Sequence, residues 1–298
     1  MLAGEYFAVN GLESFALPIK YGQKLSFWLT ANEGHTIRWS SKDYDGNTWF
    51  SAEINTYDFL EKTTNNATVS GRICELLQEA RKLNPNFTLE GHYLVETELE
   101  FNQLFGLGSS STLVSLIALW AGVQPFDLQA KVFGGSGYDV AVCYIQKPLI
   151  YWKKNNIPNW AIWDLEPSIS QNWFLCFPGR KVNSRNSIDM VQVKLDDIKK
   201  DPIMTAQLDH VLQQIKGAKS TMAMEMALEI WQAFISQNLE LPTTYDDLDI
   251  KRMPGGLCKY LGAWGGDVIL VNKTIFESNK EKFDDMEVVP WNEIVINQ

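Results

Sequence analysis

An apolar–polar alternation from His92 to Phe101 runs into Gly106-Leu-Gly-Ser-Ser-Ser-Thr112, and the chain then switches to a helical spacing at Leu113, Leu116, Ile117 and Trp120. Tyr93, Val95, Thr97, Leu99 and Phe101 share one face of the first segment and Glu96, Glu98 and Glu100 the other, which predicts a half-buried strand. A glycine-serine loop between a strand and a helix start is a strong constraint. It offers unpaired backbone N–H groups, the positive end of the helix dipole and several hydroxyls, with glycines that let an anion approach closely. The reading as a phosphate cradle competes evenly with a plain connection in which Ser or Thr caps the helix. No Gly-Lys-[Ser/Thr] follows and no GxGxxG is present, so neither a Walker A loop nor a dinucleotide-binding turn fits.

Composition narrows the chemistry. Among 298 residues, 36 Asp+Glu outweigh 26 Lys+Arg, and the net charge of −10 opposes a nucleic-acid partner. Apolar stretches such as Leu113 to Val123 are too short for a membrane span, and the N-terminus lacks the basic flank of a secretory signal, so a cytoplasmic protein is expected. Cys74, Cys143, Cys176 and Cys258 are scattered without a CxxC and read as buried thiols. With 3 His and no paired Cys, a zinc site or a His-based triad has little to be built from, while a metal held by carboxylate, hydroxyl and substrate phosphate remains open. The 11 Trp, 10 Tyr and 15 Phe are scattered and favour core packing.

Glu5 to Val9 is expected as a strand turning at Asn10-Gly11 into Ser14 to Ile19. Strands follow at Lys24 to Thr30, His35 to Ser40 and Thr48 to Ile54, and apolar residues at Ile73, Leu76, Leu77, Ala80 and Leu83 predict an amphipathic helix ending before Asn84-Pro85. A second loop, Gly134-Gly135-Ser136-Gly137, precedes a strand or helix from Val140 to Ile145, and a strand is expected around Leu149 to Trp152. Beyond it, Trp173 to Phe177 reads as a strand, Asp201 to Gln237 as largely helical, and Lys259 to Ala263 with Val268 to Val271 as two strands. This pattern predicts an α+β protein with a domain boundary near residue 160, giving domains 1–160 and 161–298.

Three segments together resemble a known family. Gly4-Glu5-Tyr6-Phe7-Ala8-Val9-Asn10-Gly11, the Gly106 to Thr112 loop, and Lys259-Tyr-Leu-Gly-Ala-Trp-Gly-Gly266 are similar in order and spacing to the three motifs of the GHMP small-molecule kinases. That superfamily includes galactokinase, homoserine kinase, mevalonate kinase and phosphomevalonate kinase. Ser136-Gly137-Tyr138-Asp139 resembles the Ser-Gly-x-Asp of the mevalonate and phosphomevalonate kinase branch, and its Gly-Tyr-Asp form resembles a bacterial subgroup described only as kinase-like. The resemblance implies a two-domain fold, its N-terminal half like domain 2 of ribosomal protein S5 and its C-terminal half ferredoxin-like, with the active cleft between them.

By residue-wise match, the resemblance assigns Gly106, Gly108, Ser109, Ser110, Ser111 and Thr112 to nucleotide phosphates, Ser110 to Mg²⁺, and Asp139 to the carboxylate that orients or deprotonates the acceptor hydroxyl. Glu5, Ser136, Gly137, Gly262 and Ala263 fall to substrate binding, with Trp264 and Asp267 replacing the small residues usual there. ATP and Mg²⁺ are the implied cofactors. The implied partners are a small anionic metabolite and nucleotide, with no nucleic acid or membrane, and a homodimer is compatible. Two departures stand out. The Gly-Lys pair expected just before the first motif has no match, leaving Lys20, Lys181 and Lys259 as substitutes by position, each otherwise a solvated surface lysine. The second acid expected on Mg²⁺ is also unmatched, and the nearby Asp127 reads as a helix cap after Pro125. The expected activity is kinase action on mevalonate or phosphomevalonate, set against a catalytically impaired nucleotide-binding homologue and a diphosphomevalonate decarboxylase.

Overall fold

The computed structural model describes residues 1–179, 191–262 and 268–296. Its strands are β1 (Ser14–Ala16), β2 (Gln23–Ala31), β3 (His35–Lys42), β4 (Thr48–Ile54), β5 (Glu61–Thr64), β6 (Gly91–Leu99), β7 (Leu149–Lys154), β8 (Ile157–Ile162), β9 (Trp173–Phe177), β10 (Cys258–Leu261), β11 (Val268–Asn272) and β12 (Glu287–Pro290). Its helices are α1 (Ala67–Leu83), α2 (Ser109–Ala121), α3 (Pro125–Val132), α4 (Tyr138–Ile145), α5 (Gln192–Lys200), α6 (Pro202–Gly217), α7 (Thr221–Leu239), α8 (Thr244–Asp247), α9 (Lys273–Ser278) and α10 (Trp291–Ile294). None of the described helices is long and apolar enough to cross a membrane.

The chain gathers into two compact units, one of Met1–Lys20, Leu104–Gly106 and Ile145–Gln298, the other of Tyr21–Gln103 and Leu107–Tyr144. The boundary expected near residue 160 falls inside the first unit. The reason is strand pairing: β1 pairs antiparallel with β7, Ser14 opposite Tyr151, and β7 with β8, so the N-terminal segment is bound to residues 149–162.

The second unit is a mixed sheet in the order β2-β6-β3-β4-β5, with β3 parallel to β6 and the other pairs antiparallel. Helix α1 starts where the Asn66 side chain accepts from the Val69 N–H at 3.2 Å, satisfying an orphan donor, and it ends ahead of Pro85. Its buried stripe of Ile73, Leu76, Leu77 and Ala80 packs with Trp39, Phe50, Ile54 and Val95 of the sheet and Val114 and Ile117 of α2. Truncating a fully buried leucine such as Leu77 to Ala here costs about 2–5 kcal/mol, transfer and cavity terms combined.

In the first unit, β9, the helices α5 to α8, β10, β11, α9 and β12 follow one another, and the strands form an antiparallel sheet ordered β10-β11-β9-β12. This β-α-β-β-α-β arrangement is ferredoxin-like, as the resemblance implied. Trp173, Trp231 and Trp291 are fully buried, and the rings of Trp173 and Trp291 meet edge to face with centroids 5.1 Å apart, so these aromatics are core. All four cysteines are free thiols. Cys74, Cys176 and Cys258 are buried and Cys143 half-buried.

The N-terminus departs from expectation. Glu5 to Val9 is not a strand: the Gly4 carbonyl accepts from the Phe7 and Ala8 N–H groups, both at 3.0 Å, and a 3₁₀ turn follows at Ala8–Asn10. Gly11 does take a left-handed conformation, φ +85°, but it ends that turn rather than closing a hairpin. Helix α5 and strands β5, β8 and β12 were not expected from the pattern.

Candidate phosphate-binding site

Strand β6 and the loop beyond it deliver the chain to Gly108, which is the N-cap of α2 at φ +86°, a backbone conformation that L side chains rarely adopt. Among the described residues, no side chain caps this helix. The reading in which Ser or Thr caps it is therefore overturned: the serines lie inside the first turn, and the capping position has no side chain. The Gly108 carbonyl accepts from the Ser111 and Thr112 N–H groups, both at 3.0 Å. A Cβ built at Gly108 meets no described atom within 4 Å, so the place where a side chain would stand at the helix terminus is open. The Thr112 hydroxyl lies 2.8 Å from Gln23 Oε1 and 2.9 Å from the Ser109 carbonyl, which fixes the first turn to β2. Ser110 is exposed and Ser111 buried.

The second glycine loop repeats the arrangement. Gly134, Gly135 and Gly137 have φ of +64°, +80° and +82°, and helix α4 begins at Tyr138, with Asp139 in its first turn. Residues 138–145 are thus helix, which decides between the strand and helix left open by the sequence. A Cβ at Gly134 or Gly135 also meets nothing within 4 Å. Asp139 keeps some accessible surface, yet the packing around its carboxylate raises its pKa above the ordinary 3.8, partly offset by hydrogen bonds with Tyr138 and Ser111. The Ser111 bond sets the SGYD aspartate beside the first turn of α2, so these two motifs meet within one unit. Cys143, one turn further along α4, has its thiol pushed up to about 11 by burial and by the Asp139 charge. Asp127 is exposed in the first turn of α3, whose N-cap is Gln124, so it is not the helix cap that sequence suggested.

The residues of the first unit form a different environment. Glu5 is 8% exposed. Its Oε1 accepts from Lys259 Nζ at 2.7 Å and from Trp231 Nε1 at 3.3 Å, and its Oε2 has no hydrogen-bond partner among the described residues. Lys259 also donates to the Tyr260 carbonyl at 2.7 Å. The expectation of a solvated surface lysine at 259 is overturned, because β10 carries it inward, where a buried carboxylate compensates it. Lys20 is exposed and donates to the Asn292 carbonyl at 2.7 Å, and Lys181 lies outside the described residues. Glu5, Trp231, Lys259 and Gly262 line a cavity of about 10 Å³, room for about one water. Gly262 has φ +85° with open space around a Cβ, while Ala263, Trp264 and Asp267 lie outside the described residues.

Among the described residues, no cluster of three His, Cys, Asp or Glu forms a metal cage. The donor set near α2 suits Mg²⁺ nonetheless, since Mg²⁺ at phosphate sites takes one or two protein oxygens and completes its shell with phosphate oxygens and water. Ser110 supplies an exposed hydroxyl in the first turn of α2.

Sequence reasoning missed two relationships. The contact of Ser111 with Asp139 has no local signal, and the burial of Lys259 had only a faint one, a single lysine between Cys258 and Tyr260-Leu261 in a strand that is otherwise apolar.

No protein-family model and no curated protein sequence matches the chain. Solved structures do. A mevalonate kinase aligns with TM-score 0.70 at 16% identity, over 100% of this chain and 96% of that one. Galactokinase from Lactococcus lactis, solved with galactose, gives 0.70 at 12% over 99% and 90%. Phosphomevalonate kinase from Streptococcus pneumoniae, solved with phosphomevalonate and AMPPNP, gives 0.68 at 13% over 97% and 95%. The chain has the two-domain fold of the GHMP kinases along its full length. Within that fold, the glycine-capped α2 and the Asp139 loop are the features on which a functional reading rests.

Proposed function

We propose that this protein is an ATP- and Mg²⁺-dependent small-molecule kinase whose acceptor is a small anionic metabolite, with mevalonate or phosphomevalonate favoured. The observation that carries the reading is the hydrogen bond of Ser111 with Asp139, which sets a carboxylate beside a helix terminus that, among the described residues, has no side-chain cap and whose N-cap glycine leaves the side-chain position open. Phosphoryl transfer needs positioning and charge neutralisation more than covalent chemistry, and such a terminus supplies both to a bound phosphate. The N–H groups of the α2 first turn would hold the nucleotide phosphates, and the Ser110 hydroxyl would hold Mg²⁺. When bound, Mg²⁺ neutralises charge on the transferring phosphate. Asp139 orients the acceptor hydroxyl and takes its proton as the new O–P bond forms and the bond to the leaving diphosphate breaks. A carboxylate with a raised pKa holds that proton better than an ordinary one, which suits a general base. Free cysteines fit a reducing compartment and support a cytoplasmic location.

Structural neighbours that are sugar and mevalonate-pathway kinases support this class of reaction. The non-catalytic and decarboxylase readings draw no support from them. The test is an ATP-consumption screen with Mg²⁺ over mevalonate, phosphomevalonate, galactose and homoserine. Turnover on one of the first two is the expected result, and its absence on all four removes the proposed acceptor class.

A further inference from the structure

Strand β2 ends the five-stranded sheet, and among the described residues its strand neighbour is β6 alone. An uncovered edge presents a row of backbone N–H and C=O groups ready to pair, and natural proteins protect such edges with charges, prolines or bulges. Here the edge carries apolar side chains on both faces: Phe27, Trp28 and Leu29 are 47%, 49% and 49% exposed. On the helix side, Phe27 stacks on Trp120 of α2 with centroids 4.8 Å apart. On the open side, Trp28 lies opposite Leu94 of β6, itself exposed. The bulge between Leu29 and Ala31 comes only at the strand's far end.

We infer that β2 is the contact surface of a homodimer, two copies pairing antiparallel along this strand to join their sheets across a two-fold axis. Such an interface must be self-complementary, since each residue meets the symmetry mate of another. Charge makes it so. In a chain of net charge −10, the segment Leu25 to Ala31 carries no charged residue, and Lys24 is the one charge in the strand. A two-fold centred on Phe27 sets Lys24 opposite Thr30 and Leu25 opposite Leu29, so no like charges meet. Lys24 is also within 3.6 Å of Glu98 of its own sheet. Half of a Phe or Trp side chain is on the order of 100 Å². With Leu29, Leu94 and the backbone edge, each copy can bury roughly 600 Å², the low end for a stable interface.

Sedimentation of the full chain at about 100 µM tests this, because a Kd tighter than about 10 µM then yields mostly dimer. A dimer is expected, and Trp28→Lys, which sets a new cation opposite Ser26 of the second copy and diagonal to its own mate on the same face of the strand pair, is expected to weaken it at least tenfold while circular dichroism stays unchanged. Trp28→Phe should retain it. A monomeric parent, an open-ended aggregate, or a dimer that survives in folded Trp28→Lys overturns the inference. Should Trp28→Lys fail to fold, hydrogen exchange of the parent decides: amides of 25–31 should gain protection on concentration, and unchanged protection overturns it.

Discussion

Lys259 and Glu5, 254 residues apart, form a buried ion pair with Nζ 2.7 Å from Oε1. The pair ties the segment after Gly4 to β10, the strand that leads directly to Gly262. Gln232 adds to the clamp by donating to the Cys258 carbonyl at 2.9 Å, and Thr244 by accepting from the Tyr260 N–H at 2.9 Å. Breaking one partner of such a pair strands a charge in a low dielectric, at a cost of about 3–5 kcal/mol, whereas removing both charges together costs much less. Lys259→Met and Glu5→Gln should therefore each lower stability by that amount, and the double variant should recover a large part of the loss. Urea unfolding of the four proteins checks it, and additive losses would show that the two groups are not coupled.

Gly108 and Gly46 allow a matched comparison. Their φ values are +86° and +84°, and a Cβ at either meets nothing within 4 Å. Alanine at either position should cost about 1–2 kcal/mol, because the left-handed backbone is strained for an L residue whatever the space. Only at Gly108 does the added methyl stand where the phosphates are proposed to sit. Gly108→Ala should weaken nucleotide binding at least tenfold, while Gly46→Ala, in the turn after Asp43, should leave it unchanged. Calorimetric titration of both variants with an ATP analogue checks this, and equal affinities would remove the phosphate assignment from α2.

Where local forces decide, the chain could be read in advance. β4 and β9 fall on the expected residues because β-branched and aromatic runs are bounded by turn formers, and α1 stops where Pro85 forbids continuation. The Glu5 to Val9 segment misled because every residue but Val9 is buried, so its apolar run records tertiary packing rather than pleating. Helix α5 buries only Leu195 and Ile198, too sparse a stripe to mark a helix. At the site, glycines and serines announced the helix terminus, since their conformational needs are local. The Ser111–Asp139 and Glu5–Lys259 relations join distant segments, and no spacing rule reports those.

Asp139→Asn separates catalysis from stability by sign. The native carboxyl has a raised pKa, chiefly from burial, so the folded state holds its proton more tightly than the unfolded chain does. Stability is then lost as pH rises from the ordinary value of 3.8 through the raised one, because ionisation must occur in a desolvated place. Asparagine mimics the neutral form and escapes that cost. The variant should melt higher than the parent at pH 7 and converge with it toward pH 3, while turnover falls about 10²–10⁴-fold, the usual contribution of a general base. Melting curves at both pH values with kcat on the same preparations check it. Activity within about threefold of the parent, far from that scale, would exclude the catalytic role.

Cys143 reports the charge on Asp139 without any assay of activity. Its thiol lies one turn along α4 from the carboxylate, and its pKa of about 11 has burial as the first cause and the Asp139 charge as the second. The thiolate is the reactive species, so the parent should label slowly with an alkylating reagent at pH 8. Asp139→Asn removes the anion but leaves the burial, so the thiol pKa should fall partway and labelling should speed up a few-fold. Each unit of pKa that is lost multiplies the thiolate fraction about tenfold below the midpoint, so even a shift of half a unit is measurable. Cys143→Ser in the Asp139→Asn background identifies the labelled site among the four cysteines. An unchanged rate in folded Asp139→Asn would mean that residue 139 carries no charge at pH 8, and with it the proposed proton acceptor would be lost.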